Sequence, residues 1–252
     1  MRGITMAIEF HMTANPRMRA PTLIEGFPGL GLVGTISASY LVEKLGMEPL
    51  GYITGDMFPP LAAVHNKRPL FPARMYFSQK YNIIVFISEF VIPIVAVNEL
   101  SDKIYEFAQK YKVKQIISLG GIAIKGEQDT VYAISSLPEL SASLEKLHAV
   151  ELIKEGATTG VTGVLLARGA VDKYPVISLL AESQQGYMDP KASAMVLEAL
   201  KELVKIDIDT ATLEHEAAKI DTKVKEIVGK AKSAHTAYKK VENEGSLGTM
   251  YG

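Results

Sequence analysis

The sequence predicts an α/β fold: a three-layer α/β/α arrangement with a mostly parallel mixed sheet, plus a long C-terminal helix. Three observations predict it. Short apolar runs alternate with segments of helical period over the first two hundred residues, the pattern of a sheet covered by helices on both faces. Two of the runs, residues 73–78 and 82–88, are separated by less than a crossover needs, so that pair is antiparallel and the sheet is mixed. Past Asp209 the apolar spacing changes to alternating fours and threes, which is a heptad seam.

The elements follow in order. Thr22-Leu23-Ile24-Glu25 reads as a short strand that runs into the loop Gly26-Phe27-Pro28-Gly29-Leu30-Gly31. Residues 32–45 carry Leu32, Val33, Ile36, Tyr40, Leu41 and Leu45 at helical spacing, and Gly46 ends the helix. Residues 50–53 form a second strand. Pro59, Pro60, Pro69 and Pro72 keep residues 57–72 from being regular throughout. The tetrad Ser78-Gln79-Lys80-Tyr81 suits a hairpin between the next two strands. After Asn82 the second of these is continuously apolar, as a strand buried on both faces should be. Residues 94–111 are an amphipathic helix. Residues 115–119 are a strand ending at Gly120-Gly121, and residues 131–134 another. Pro138 opens a short helix, residues 162–167 form one more, and residues 176–181 are a strand. Asp189-Pro190 caps and starts a helix over residues 190–204.

The bulk numbers narrow the function classes. Lys+Arg 27 against Asp+Glu 28 leaves a formal charge of -1, which gives no argument for nucleic acid or an anionic membrane. Cysteine is absent, so disulfides, thiolate nucleophiles and Cys-based metal sites are excluded. No apolar run reaches transmembrane length, and the start lacks a secretion signal. The expected setting is the cytoplasm.

The chain divides into an α/β core over residues 1–208, a helical arm over 209–244 and a flexible docking tail over 245–252. The seam of the arm is Leu213, Ala217, Ile220, Val224, Ile227, Ala231, Ala234, Tyr238 and Val241. A helix over residues 212–243 would be roughly 48 Å long. Three seam positions are Ala and Gly229 lies mid-helix, so the helix needs a surface or a copy of itself. It lies on its own domain, or it projects from a homo-oligomer. Gly245-Ser246-Leu247-Gly248-Thr249 is a linker. The end, Met250-Tyr251-Gly252, offers an apolar anchor, a ring with a polar tip and a free carboxylate. Those features suit a partner's pocket with an apolar wall and a cation.

Gly29-Leu30-Gly31-Leu32-Val33-Gly34 matches G-x-G-x-x-G between a strand and a helix, the context of a dinucleotide fingerprint. Asp56 lies 22 residues after Gly34, about where a ribose-binding acid would be. A nucleotide-binding enzyme is therefore the alternative reading. Against it, Pro28 removes a backbone N–H from the loop, and Asp56 follows Thr54-Gly55, past the strand end. The other reading is a tight turn whose glycines permit close packing. No H-E-x-x-H, G-x-S-x-G or Walker A motif is present, and Glu214-His215-Glu216 lacks a second histidine at helical spacing. Ser88-Glu89 and Glu182-Ser183 follow strands and could line a cleft or simply end them. His65-Asn66-Lys67-Arg68 reads as a polar loop tip.

The segment from Ile24 to Gly34, with Phe58-Pro59-Pro60, Ser118-Leu119-Gly120-Gly121-Ile122 and Gly186-Tyr187-Met188-Asp189-Pro190, resembles the proteasome assembly chaperone family in its archaeal branch. The resemblance covers roughly residues 20–206. It implies an α/β/α core, homo-oligomerisation, no catalysis, no cofactor and work on 20S proteasome subunits without nucleotide. It also gives the tail a meaning. Met250-Tyr251-Gly252 looks like the hydrophobic-Tyr-X ending of proteasome activators and some assembly chaperones. In the implied mechanism Met250 and Tyr251 enter a pocket between adjacent α-subunits, and the Gly252 carboxylate pairs with a lysine there.

Overall fold

The computed structural model describes residues 7–123, 130–148, 150–183, 188–213 and 233. Among these, nine strands form one sheet and two more form a separate hairpin. In chain order the elements are β1 (Ile8–Met12), β2 (Thr22–Gly26), α1 (Val33–Lys44), β3 (Glu48–Gly55), β4 (Ala63–His65), β5 (Arg68–Leu70), β6 (Ala73–Ser78) and β7 (Ile83–Ser88). Then come α2 (Val97–Lys110), β8 (Gln115–Ile122), β9 (Val131–Ser135), α3 (Pro138–Leu144), β10 (Val150–Leu152), α4 (Gly160–Asp172), β11 (Val176–Glu182) and α5 (Pro190–Val204). The sheet order is β1-β3-β6-β7-β2-β8-β11-β9-β10.

The sheet is mixed. Parallel pairing holds its centre, where β2 lies between β7 and β8 and β8 pairs β11. The pairs β1–β3, β3–β6, β6–β7 and β9–β11 are antiparallel, and the edge pair β9–β10 is parallel. Successive central residues point to opposite layers. Ile24, Val85, Ile117 and Ile177 face one core, under α1 and α5. Leu23, Phe86, Ile116 and Val176 face the other, under α2 and α4.

Each helix matches its layer. The α1 helix is buried on nearly every side, between the sheet and α5, which explains its apolar circumference. The α2 helix buries Val97, Leu100, Ile104, Tyr105, Phe107 and Ala108 at i, i+3, i+4 spacing. Asp189 caps α5 by accepting from the Ala192 N–H at 2.9 Å, with Pro190 in the first turn.

Several boundaries differ from expectation. The β8 strand continues through Gly120 and Gly121, because Leu180 and Ala181 of β11 pair with them. The α4 helix begins two residues earlier than predicted and ends five later. The proline-rich stretch holds the β4–β5 hairpin, whose tip Asn66-Lys67 has φ of 50° and 65°, the two left-handed residues of a tight hairpin turn. Packing runs on past α5. Leu213 is fully buried with Ile206 and Ile208, and Tyr40 donates to the Asp209 carbonyl at 2.6 Å.

Candidate functional site

The carboxyl ends of β7, β2, β8 and β11 share one edge of the sheet, where open α/β folds collect ligands. A cleft of about 350 Å³ lies there. Its walls are the loop after β2, Val91 and Ile92 after β7, Gly120 and Gly121 of β8, and residues 157–162 leading into α4.

Glu25, at the end of β2, lines this cleft and is only 2% exposed. Its Oε1 accepts from the Ser118 hydroxyl of β8 and, at 3.0 Å, from the Thr162 hydroxyl of α4. Its Oε2 accepts from the Phe27 N–H at 3.3 Å. Burial pushes the carboxyl above the usual carboxylate range, and these donors offset only part of that push.

A second buried acid, Glu89, follows β7. Arg74 of β6 grips it with two donors at 3.0 Å, one to each oxygen. The His65 imidazole lies 2.6 Å from its Oε1. Arg74 also donates to the Tyr76 hydroxyl and the Phe71 carbonyl. Burial raises the Glu89 carboxyl, but His65 and Arg74 together outweigh it and hold the group below the usual range. Ser88 donates to the Phe90 carbonyl at 2.7 Å and closes the strand-end turn. Beyond that turn the chain exposes apolar side chains, with Ile94 81% and Val95 67% exposed.

Gly31 and Gly34 of the glycine loop are packed closely against the rest of the protein. A Cβ on Gly34 would lie 2.3 Å from the Leu119 carbonyl oxygen. Gly31 has φ of +62°, and a Cβ there would lie 1.9 Å from the Ser183 hydroxyl. The Asp189 N–H donates to the Gly31 carbonyl, so Ser183 and Asp189 pack against Gly31 just before α1. Asp56 is exposed and follows β3. That strand is three places from β2 in the sheet, about 14 Å away at ordinary strand spacing. The fingerprint requires the acid on the neighbouring strand, so Asp56 and the loop do not form one dinucleotide site.

Of the other residues singled out, Glu182 is exposed and Ser183 is buried against Gly31. The proposed docking residues Met250, Tyr251 and Gly252 lie outside the described residues, as does the arm beyond Leu213 except for Ser233. Glu25 and Arg74 went unnoticed in the sequence. The signal for Glu25 was an acid ending an apolar strand. Arg74 had none, because its partner is set by the pairing of β6 with β7.

Residues 23–228 match the PAC2 family. The chain belongs to the PAC2 family. An uncharacterized protein of Methanocaldococcus jannaschii is 30% identical over 221 residues, 88% of this chain and 91% of the relative. The crystal structure of Pyrococcus furiosus PbaA, an archaeal homolog of proteasome-assembly chaperone, superposes with a TM-score of 0.77 at 30% identity. The match covers 97% of this chain and 99% of that one. Pyrococcus furiosus PbaB, an archaeal proteasome activator, shares the fold with a TM-score of 0.72 at 24% identity, over 87% and 98% of the two chains. The PAC2 membership agrees with the resemblance carried by the segment from Ile24 to Gly34, whose Gly26, Gly31 and Gly34 here serve packing.

Proposed function

We propose that this PAC2 protein is an ATP-independent proteasome assembly chaperone-like protein. It binds the 20S proteasome or its α-subunits through Met250, Tyr251 and Gly252, acts as a homo-oligomer, and uses no cofactor. The observation that carries the reading is the 30% identity to PbaA along nearly the whole of both chains. The ending Met250-Tyr251-Gly252 supports the tail mechanism, since it places an apolar anchor, a ring and a carboxylate at the extreme C-terminus. Several tails on one oligomer would bind by avidity, so each can be weak alone. The close packing at Gly31 and Gly34, just before and at the start of α1, supports nucleotide independence.

The test is capture of archaeal 20S proteasome, or its isolated α-subunits, by the intact protein and by forms lacking residues 250–252 or carrying Tyr251→Ala. The expected result is capture by the intact protein without ATP, and its loss in both altered forms while thermal unfolding is unchanged. Undiminished capture by the truncated form overturns the tail mechanism. No capture by the intact protein overturns the partner.

A further inference from the structure

Two glutamates stand buried at the carboxyl ends of adjacent parallel strands, and they differ in one respect. Glu89 has the Arg74 guanidinium and His65 against it. Glu25 has three donors but, among the described residues, no cation. The Ser118 and Thr162 hydroxyls and the Phe27 N–H all lie within hydrogen-bond distance of it, and the two hydroxyls are also 2.6 Å from each other. Buried carboxylates are ordinarily matched by a positive partner. Glu25 lines the cleft at the sheet edge.

We propose that this cleft is a binding site for a small primary alkylammonium ligand, with the Glu25 carboxylate as its counter-ion. The inference is independent of the proteasome reading. The cleft has the volume of a small-ligand site. Phe27, Leu30, Ile92, Val97 and Val161 give it apolar wall for an alkyl body. Thr158 and Thr159, with the backbone of Gly120 and Gly121, supply polar groups along the rest. Among the described residues Glu25 is the one titratable side chain in the lining.

The charge balance dictates how binding responds to pH. The elements against Glu25 are β7 through Phe86, β8 through Ser118 and the first turn of α4 through Thr162. None of these brings a charged side chain to it. Among the described residues the positive end of the α4 dipole is the other fixed charge, and it favours the carboxylate form. In the empty cleft, burial favours the protonated acid. An entering ammonium favours the ionised acid, so binding expels the Glu25 proton to solvent as the ion pair forms. Affinity therefore rises with pH until Glu25 is ionised in the empty protein, by up to about tenfold per pH unit. It then stays level until the amine itself loses its proton near pH 10.

The experiment is calorimetric titration of the full-length protein with ethyl-, butyl- and hexylamine hydrochloride between pH 5 and 8, in buffers of different ionisation enthalpy. Butanol serves as the uncharged control. The expected result is saturable binding of one amine per chain that tightens with pH, releases a proton at the acid end and is absent for butanol. Glu25→Gln should weaken it by about tenfold or more. Thr162→Val keeps the acid but removes a donor, so its binding curve should move to higher pH, and it answers the question if Glu25→Gln fails to fold. No saturable binding of any amine by the wild-type protein overturns the proposal. So does equal affinity for butanol, equal affinity in Glu25→Gln, or an unmoved pH curve in Thr162→Val.

Discussion

The two buried glutamates make opposite contributions to stability as pH changes. Glu89 is held below the usual carboxylate range. Its contribution is complete above the unfolded value and is lost as pH falls through the lower folded one. Breaking its bidentate pair strands a buried charge, so Arg74→Met should destabilise by about 3–5 kcal/mol at pH 7 in urea unfolding. That deficit should shrink on acidification, because protonating Glu89 removes the stranded charge. A small deficit that ignores pH would mean the pair contributes little. Glu25 is shifted the other way. Its contribution is complete below the unfolded carboxylate value and is lost as pH rises through the raised folded one. Glu25→Gln abolishes that titration, so unfolding measured from pH 4 to 8 should show the variant gaining on the wild type as pH rises. A flat difference would count against a raised carboxyl. At this scale the sequence was only partly legible. Glu89 was readable as a polar residue at a strand end, but Arg74 and Ser118 reach their glutamates through strand pairing, and Thr162 through helix placement.

At the level of elements, the glycine loop separates packing from ligand binding. Gly34 meets a backbone oxygen of β8, which has no side chain to swing away. Gly34→Ala should therefore cost about 1–3 kcal/mol. Gly29 has extended backbone and nothing within 4 Å of an added Cβ, so Gly29→Ala should stay within about 0.5 kcal/mol. Equal effects at the two positions in chemical denaturation would contradict the packing role. Elements with a clear period were legible from residues alone: the predicted bounds of β6 and α5 coincide with those observed. The β1 strand escaped notice although Ile8, Phe10 and Met12 alternate toward one core. The β10 strand has three residues, too few for a period, and exists because β9 pairs it. The extension of β8 through two glycines likewise depends on its neighbour β11 and not on its own propensity.

For the whole molecule, the open question is where the core stops and the arm begins, and the packing makes a sharp prediction. Ile206, Ile208 and Leu213 are buried in the core that also holds α1 and α5. The Tyr40 hydroxyl donates to the Asp209 carbonyl and lies 3.0 Å from the Thr212 hydroxyl. Thr210 bonds Glu198 of α5. A chain ending after Leu213 keeps all of these contacts, whereas one ending after Ile208 loses Leu213 and leaves Tyr40 without them. The shorter form should be less stable by about 2–5 kcal/mol, the range for deleting a large buried side chain. The longer form should unfold at the temperature of the full protein, corrected for any change in assembly. Light scattering on the same two proteins measures the second quantity. If the protein forms the proposed homo-oligomer and the seam past Leu213 holds it together, the form ending at Leu213 loses mass in solution while keeping its fold. If the mass is unchanged, assembly belongs to the core, and the arm is left free to carry Met250-Tyr251-Gly252 to a partner.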